Sequence, residues 1–391
     1  MLRVLTLSTL FPDATRPNFG VFVERQTLGL AARPDVDLRV VAPVGLPPWP
    51  ISAFSHYAAL RTLPAQEAWK GLDVRRPRFA IFPATGGRYH VAGLVRRLIP
   101  LLAEMRRDFA FDVIDAEFFF PDGPAALALG RRFGVPVSVK ARGADIHHWG
   151  RSAVTGPSVV AAGLGADGLL AVSEAMKADM VAIGMPADRI LVHHTGVDLN
   201  RFAPRDRVSA KAAFGVSGPL IVSLGALIPR KGHRIVIDAV AAIPGASLLI
   251  AGEGPDRAAL QARIEVLGAA DRIRLLGSIP HADLPGLLAA ADVMALASAS
   301  EGLANAWVEA LACGTPIVIT DAGGAAEVVT EPAFGRIVPR DPQSFERAIR
   351  GLLDHPPAAA EVRRGAGRFT WEANGAALHA HLAGLVAAYS G

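Results

Sequence analysis

The sequence predicts an α/β fold with two doubly wound domains, each built on a mainly parallel sheet. A chain of 391 residues is too long for one ordinary hydrophobic core. Short apolar runs typical of buried parallel strands alternate with segments of helical periodicity along the chain. These runs repeatedly end in small residues, as strand-to-helix loops do at the carboxyl edge of such a sheet.

The first domain is predicted over residues 1–200. Predicted strands occupy residues 2–7, 38–42, 72–77, 111–116, 135–140, 168–172 and 190–193, and predicted helices occupy about 21–32, 89–109, 124–133 and 174–183. Pro100 is expected to break the second of these helices, and Ser173 suits the N-cap of the last. The proline-rich run after residue 42 is expected to be an irregular surface loop.

A second alternation predicts the second domain over residues 201–370, after a linker at 198–208. Its strands are predicted at 220–224, 247–251, 273–276, 293–297, 315–320 and 336–338. Its helices are predicted at 233–242, 256–267, 282–291, 305–313, from 325, at 342–353 and at 362–369. A final amphipathic helix is predicted at 371–389.

Positive charge is concentrated in the first domain, between Arg75 and Arg107. Eight arginines lie in this segment, at positions 75, 76, 78, 88, 96, 97, 106 and 107, against the single acidic residue Glu104. Such a patch attracts anions, and its helix has the composition of an interfacial helix at an anionic membrane surface. An ordinary amphipathic helix covering the sheet explains the same pattern. The segment matches no known nucleic-acid-binding module, which argues against nucleic acid as a partner.

Cysteine usage and hydropathy indicate a cytoplasmic protein without a transmembrane helix. Cys313 is the only cysteine, so no internal disulfide can form, and its place at a helix end suits a packing residue. Prolines interrupt the longest uncharged run, at 40–60. The apolar N-terminus is predicted to be a strand rather than a signal peptide. His147 and His148 lack partners at a metal-ligand spacing, so no metal site is predicted.

Candidate chemistry concentrates in residues 293–327, where Glu301 follows one predicted strand and Glu309 lies on the next predicted helix. Carboxylates accept hydrogen bonds from hydroxyls, so this pair could bind sugar and ribose rings. Arg230 and Lys231, at another strand exit, could hold a diphosphate. Simpler explanations remain open: Glu301 complements a helix dipole, Glu309 is a surface residue, and the cations begin a solvated helix.

The segment SEGLANAWVEALACGTPIVITDAGGAAEVV, which contains both carboxylates, resembles the signature of the family 4 retaining glycosyltransferases of the GT-B fold. Further blocks similar to that family, in the expected order, are STLFPDATRPNFGVFVERQ, VSEAMKADMVAIGMPADRILVHHTGVDLNRFAP, VSLGALIPRKGHRIVIDAV, and IAGEGPD followed by IRLLGSIP. The resemblance covers nearly the whole chain. It implies two Rossmann-like domains facing across a cleft, with a C-terminal helix at 371–391 that crosses back to the first domain.

The resemblance also implies roles for particular residues. The implied catalytic residues are Arg230 and Lys231, on the donor diphosphate, and Glu301, near the donor sugar. The implied donor-binding residues are Glu309 on the nucleotide ribose, Gly302, Leu303 and Ala304 at the sugar and phosphate, and Gly252, Gly254, Ser278 and Ile279 around the base. The implied acceptor or cleft residues are Gly20, Arg142 and Asp145. Arg142 stands where many members have a histidine, and Leu303-Ala304 where many have Phe-Gly.

The implied reaction moves a sugar from a nucleotide-diphosphate sugar to an acceptor hydroxyl with retention of anomeric configuration. No cofactor is expected, because the cationic pair could replace a metal ion. The expected acceptor is a glycan, namely a lipid-linked or cell-surface polysaccharide intermediate, and the basic segment motivates peripheral attachment to the inner face of the cytoplasmic membrane. Two alternatives are a GT-B nucleotide-sugar epimerase or hydrolase, and a non-catalytic nucleotide-sugar-binding protein.

Overall fold

The computed structural model describes residues 1–390, apart from the side chains of Ser55, His56 and Ser390. The described chain forms two compact α/β units. One comprises Met1–Thr195 together with the chain from Trp371 onward, and the other comprises Gly196–Thr370. The predicted fold class, with two Rossmann-like domains on mainly parallel sheets, is confirmed.

The first unit is organised around a sheet that is parallel except at one edge. Its strands are β1 (Leu2–Leu7), β2 (Val36–Val41), β3 (Val44–Leu46), β4 (Gln66–Trp69), β5 (Leu72–Arg75), β6 (Arg78–Ala80), β7 (Val113–Ala116), β8 (Val137–Ala141), β9 (Gly168–Ala171) and β10 (Ile190–Val192). The main sheet has the order β10-β9-β8-β7-β1-β2-β5-β4, and only β4 is antiparallel to its neighbour. Strands β3 and β6 form a separate parallel pair. Buried apolar residues dominate the central strands, as both faces are covered.

Helices of the first unit follow these strands. They are α1 (Val21–Ala31), α2 (Ser55–Arg61), α3 (His90–Met105), α4 (Asp122–Phe133), α5 (Gly156–Gly165) and α6 (Glu174–Ala182). Helix α3 is continuous through Pro100, so the predicted break at this residue is wrong. Pro100 lies on the exposed face of α3, where water can hydrogen-bond the backbone carbonyl that the proline leaves unpaired.

The second unit has a wholly parallel sheet in the order β13-β12-β11-β14-β15-β16. Its strands are β11 (Leu220–Leu224), β12 (Ser247–Ala251), β13 (Ile273–Gly277), β14 (Val293–Leu296), β15 (Ile317–Ile319) and β16 (Gly335–Ile337). Its helices are α7 (Arg207–Ala212), α8 (His233–Ala241), α9 (Arg257–Val266), α10 (Leu284–Ala290), α11 (Asn305–Ala312), α12 (Ala325–Val328), α13 (Pro342–Asp354) and α14 (Ala359–Arg364). Because its strands are parallel, all its strand exits emerge at one edge.

The last helix, α15 (Trp371–Ser390), belongs to the first unit and packs against α1. Leu378 and Leu382 are fully buried in the same apolar cluster as residues of β1 and β2. Two hydrogen bonds fix the first turn of the helix. His193 Nε2 donates to the Asn374 carbonyl at 2.8 Å, and the Asn374 amide donates to the His194 carbonyl at 2.7 Å. The helix therefore completes the core of the first unit.

Candidate functional site

Arg230 and Lys231 end a short 3₁₀ turn, Pro229–Lys231, in the connection between β11 and α8. Lys231 Nζ donates a hydrogen bond to Glu301 Oε1 at 2.5 Å, and Arg230 Nη1 lies 3.7 Å from Glu301 Oε2. The Ser298 hydroxyl donates to the same Oε1 at 2.6 Å. Since β11 and β14 are neighbouring parallel strands, their exit loops bring the three predicted catalytic residues into one cluster.

Hydrogen bonds to backbone atoms hold the loop that carries Glu301 in place. Arg230 Nη1 donates to the Ser300 carbonyl at 2.6 Å, while the Ala299 N–H donates to the Arg230 carbonyl at 2.7 Å. On the other side, the Gly324 N–H donates to the Gly302 carbonyl at 2.7 Å. The carboxylate is consequently held by two neighbouring loops, with only 8% of the residue exposed.

Residues Gly302, Leu303 and Ala304 lead directly into α11. Leu303 is buried, and Ala304 is the N-cap residue of the helix, with extended backbone angles. Glu309 follows on the second turn of α11 and is 8% exposed. Its Oε1 lies 2.7 Å from His281 Nε2. Glu301 and Glu309 thus stand at the two ends of one loop-and-helix segment.

The loops after β11, β12 and β13 are bonded to one another. Gly252 donates its N–H to the Gly277 carbonyl at 2.8 Å, and Leu227 donates to the Glu253 carbonyl at 2.9 Å. Gly252 has a φ of 153°, and a Cβ there would collide with the Gly225 carbonyl. Gly254 packs similarly against Leu227. Of the other two predicted base-binding residues, Ser278 is exposed and Ile279 is half-buried.

The predicted acceptor residues lie in the first unit, after the parallel strands β1 and β8. Gly20, in a left-handed conformation, is the N-cap residue of α1, and a Cβ on it would collide with the Leu10 carbonyl. Arg142 pairs with the buried Glu117 carboxylate, and its Nε donates to the Glu117 carbonyl at 2.8 Å. Its guanidinium also lies over the Phe22 ring, 4.8 Å from the centroid. Arg142 is therefore held inside the unit.

Asp145 acts as an acceptor for backbone N–H groups in the loop after β8. It accepts from Gly143 at 2.7 Å, from Arg142 at 3.0 Å and from Phe119 at 3.1 Å. Burial raises the pKa of this carboxyl, while the backbone bonds act in the opposite direction. The geometry makes Asp145 the residue that shapes the loop carrying Arg142.

Sequence reasoning missed a buried polar network beneath Arg142. Lys140 Nζ donates to Gln26 Oε1 at 2.6 Å and to His193 Nδ1 at 2.7 Å, and Gln26 also donates to Glu117. Burial and the neighbouring Arg142 lower the pKa of Lys140 to about 7. Burial opposes ionisation of Glu117, but Arg142 and Lys140 outweigh it and hold the pKa of that carboxyl below its usual value. The sequence feature that could have indicated this network is Lys140, a charged residue near the end of the mostly apolar strand β8.

Among the side chains described within residues 1–390, no cluster of histidine, cysteine and acidic groups has the arrangement of a metal site. The same residues include no helix with the length and hydropathy needed to cross a bilayer. Cys313 is buried at the end of α11, and burial raises the pKa of its thiol to about 12, as expected of a packing residue.

Two family models match the chain, one in each half. The model of Glycosyltransferase Family 4 matches residues 22–201, and the model of Glycosyl transferases group 1 matches residues 204–368. Together they cover most of the chain.

Some curated relatives match about half of the chain at higher identity, and another matches most of it at lower identity. A D-inositol 3-phosphate glycosyltransferase of Segniliparus rotundus is 35% identical over 193 residues, which are 46% of this chain and 43% of the relative. The chain thus spans less than half the length of that relative. A putative teichuronic acid biosynthesis glycosyltransferase of Bacillus subtilis is 24% identical over 359 residues, which cover 89% of this chain and 88% of the relative.

Solved structures agree in fold. Sucrose-phosphate synthase from Thermosynechococcus elongatus has a TM-score of 0.83 at 19% identity and covers 99% of this chain and 100% of its own. HepE from Anabaena, solved in complex with UDP, has a TM-score of 0.74 at 21% identity. The match covers 98% of this chain and 100% of the HepE chain. At these identities the likeness concerns the fold alone.

Proposed function

The chain belongs to the family 4, or group 1, glycosyltransferases, and we propose from this that it moves a sugar from a nucleotide-diphosphate sugar to an acceptor hydroxyl with retention of configuration. The observation that supports this most is the cluster of Arg230, Lys231 and Glu301, with Glu309 on the adjoining helix. It combines two cations for a diphosphate with two carboxylates for the hydroxyls of two rings. The complexes of HepE with UDP and UDP-glucose are consistent with such a donor.

In the proposed reaction, the bond between the anomeric carbon and the diphosphate oxygen breaks while the acceptor oxygen bonds to that carbon. The electron pair leaves with the diphosphate, and the acceptor proton passes to the departing phosphate oxygen. The transition state resembles an oxocarbenium ion. Arg230 and Lys231 stabilise the charge that develops on the leaving group, which is the role a metal ion plays in other enzymes, so we propose metal-independent chemistry.

The remaining donor contacts follow from the loops of the second unit. Glu301 binds hydroxyls of the sugar, Glu309 binds the ribose, and the backbone of Gly302–Ala304 binds the sugar and phosphate at the entrance to α11. The bonded loops that contain Gly252, Gly254, Ser278 and Ile279 surround the base. Gly20, Arg142 and Asp145, at strand exits of the first unit, contribute to the acceptor side.

Lys231→Ala and Glu309→Ala are expected to affect different kinetic constants. Removing the Lys231 cation should lower kcat about 100- to 1000-fold, as loss of one transition-state contact does. Removing the Glu309 carboxylate should raise the donor KM about tenfold or more, because a charged hydrogen bond to the ribose is lost. The measurement is sugar transfer from labelled UDP-, ADP- and GDP-sugars, chosen by thermal shift, to a lipid extract.

Arg234→Ala is the matched control, because Arg234 is an exposed cation in the first turn of α8, and it should behave as wild type. Chelation by EDTA should leave transfer unchanged. Normal transfer by both site variants would refute the site assignment. Release of free nucleotide without an acceptor would instead indicate an epimerase or hydrolase, and donor binding without any turnover would indicate a binding protein.

We propose that the acceptor is lipid-linked and is reached at an anionic membrane surface. The structure changes which residues could form that surface. Arg76 is fully buried beside Glu67, and Arg106 donates to the Phe133 carbonyl, whereas Arg88, Arg96 and Arg97 are exposed. The apolar face of α3 is packed inside. An interfacial role therefore needs apolar groups from elsewhere.

The loops that follow β3 and β6 carry exposed apolar groups that could contact a membrane. Because β3 and β6 are parallel partners, the loops that follow them emerge at one edge. Their exposed large apolar residues are Trp49, Ile51, Phe54, Phe82 and Tyr89. Tyr89, Phe82, Arg96 and Arg97 line one groove of about 560 Å³. Aromatic side chains bordered by arginines match an anionic lipid interface in both hydrophobicity and charge.

Two sets of substitutions separate these contributions to membrane binding. Arg96→Ala with Arg97→Ala should weaken binding to vesicles of phosphatidylglycerol and phosphatidylcholine about 30-fold at low salt, and high salt should erase the difference. Trp49→Ala with Phe54→Ala should weaken binding at every salt concentration. Sedimentation with vesicles measures both, and Val266→Ala, another exposed apolar residue, is the control. Equal sedimentation of wild type and both double variants would rule out this surface.

A further inference from the structure

His281 makes a direct contact with the carboxylate that we assign to the ribose. It lies after β13, in the continuation of the loop that contains Ser278 and Ile279. Its Nε2 is 2.7 Å from Glu309 Oε1. An ionised carboxylate only accepts hydrogen bonds, so Nε2 carries the proton and donates it. Among the described side chains, this is the one hydrogen bond that the Glu309 carboxylate accepts, and it occupies a single oxygen.

A separate segment positions the histidine itself. The ring of Phe202, which is buried, meets the His281 ring edge-on at a centroid distance of 5.4 Å. Arg201 Nη2 donates to the His281 carbonyl at 2.5 Å. The side chain of Asp198 accepts the N–H groups of Asn200 and Arg201, both at 3.0 Å, and so orders the turn.

Arg363 joins this segment to the helix that carries Glu309. Its Nη1 donates to the Phe202 carbonyl at 2.7 Å, and its Nη2 donates to the Leu199 carbonyl at 2.6 Å. The same guanidinium donates to the Ala312 carbonyl at the end of α11. The donor and the acceptor of the His281–Glu309 bond therefore rest on one connected support, as a precisely held binding group requires.

We propose that His281 is a positioning residue for Glu309. It fixes one carboxylate oxygen and so aims the other at a ribose hydroxyl of a nucleoside diphosphate. This inference rests on the proposed function, which it deepens, and it explains the segment Gly196–Phe202, to which the reaction itself assigns no role. Without the histidine, Glu309 can adopt other rotamers, and recognition of the ribose hydroxyls weakens.

Discrimination between ribose and deoxyribose tests this directly. Calorimetry would measure the Kd of UDP, ADP and GDP and of their deoxyribonucleotide counterparts. In wild type, loss of the hydroxyl should weaken binding of the preferred nucleotide about 10- to 100-fold, as expected for a hydrogen bond to a charged group. In His281→Ala and in Glu309→Ala, this ratio should fall to about threefold or less. His281→Gln should restore it, since its amide can donate from nearly the same place.

Controls make each outcome decisive. His355→Ala removes an exposed histidine of the same unit and should keep the wild-type ratio. If His281→Ala keeps the ratio while Glu309→Ala loses it, the positioning role is refuted and the proposed function stands. If His281→Ala fails to fold, His281→Phe decides instead, because it keeps an aromatic ring against Phe202 but cannot donate a hydrogen bond: a lost ratio supports the positioning role, and a retained ratio refutes it. A wild-type protein that binds none of the diphosphates would refute the proposed function itself.

Discussion

At the scale of single residues, the short connection that carries Arg230 and Lys231 also places a histidine, His233, in the buried interior beside these cations. It is the first residue of α8, two positions after Lys231, and it is buried with Nδ1 3.0 Å from the Ser223 hydroxyl. Burial is the main cause that lowers the pKa of His233 to about 4, and the positive charge of Lys231 acts in the same direction. The folded protein therefore holds this imidazole neutral at pH 7.

His233 should make the second unit sensitive to acid. Between pH 6.5 and pH 4 the unfolded chain binds a proton here that the folded chain does not, so the free energy of unfolding falls as the pH falls. The expected loss is about 3 kcal/mol, and His233→Asn should remove it. Denaturant-dependent labelling of Cys313, the only cysteine and a buried residue of this unit, reports the unfolding. His355→Asn is the control, and identical pH slopes in wild type and His233→Asn would contradict the assignment.

At the scale of secondary-structure elements, the buried parallel strands were predictable and the edge elements were not. Strand β14 (Val293–Leu296) is a continuous apolar run, because both of its faces are covered. By contrast β4 (Gln66–Trp69) is a half-exposed edge strand, and β3 and β6 have three residues each, too few for a period to be recognised. Helix α5 (Gly156–Gly165), rich in small residues, also went unpredicted.

The candidate site was predictable in its residue types but not in its pairings. Lys231 and Glu301 are 70 residues apart in the chain, and only the adjacency of β11 and β14 brings them together. His281 and Glu309 meet in the same way, through the exit of β13 and one face of α11. Spacing along the chain indicates which elements carry charged residues. It does not indicate the register and loop paths that decide which charges meet.

At the scale of the whole molecule, the chain passes between the two units twice, at 195/196 and at 370/371. On the side of the second unit, the two passages are hydrogen-bonded, since the Val197 N–H donates to the Phe369 carbonyl at 2.7 Å. The second passage returns the chain to the first unit, where α15 contributes Leu378 and Leu382 to the core. The stability of the first unit thus depends on the last residues of the sequence.

Leu382→Ala should destabilise the first unit without disturbing the second. Loss of a fully buried leucine leaves a cavity and should lower the free energy of unfolding by about 2–5 kcal/mol. Tryptophan fluorescence reports mainly the first unit, which holds Trp49, Trp69, Trp149 and Trp371, whereas Cys313 labelling reports the second. The tryptophan transition should move to lower denaturant while Cys313 labelling and nucleotide affinity stay unchanged. Tyr389→Ala, an exposed position on α15, should alter neither signal. If Leu382→Ala shifted both signals together, the two units would unfold as one, and the division of the core between them would be wrong.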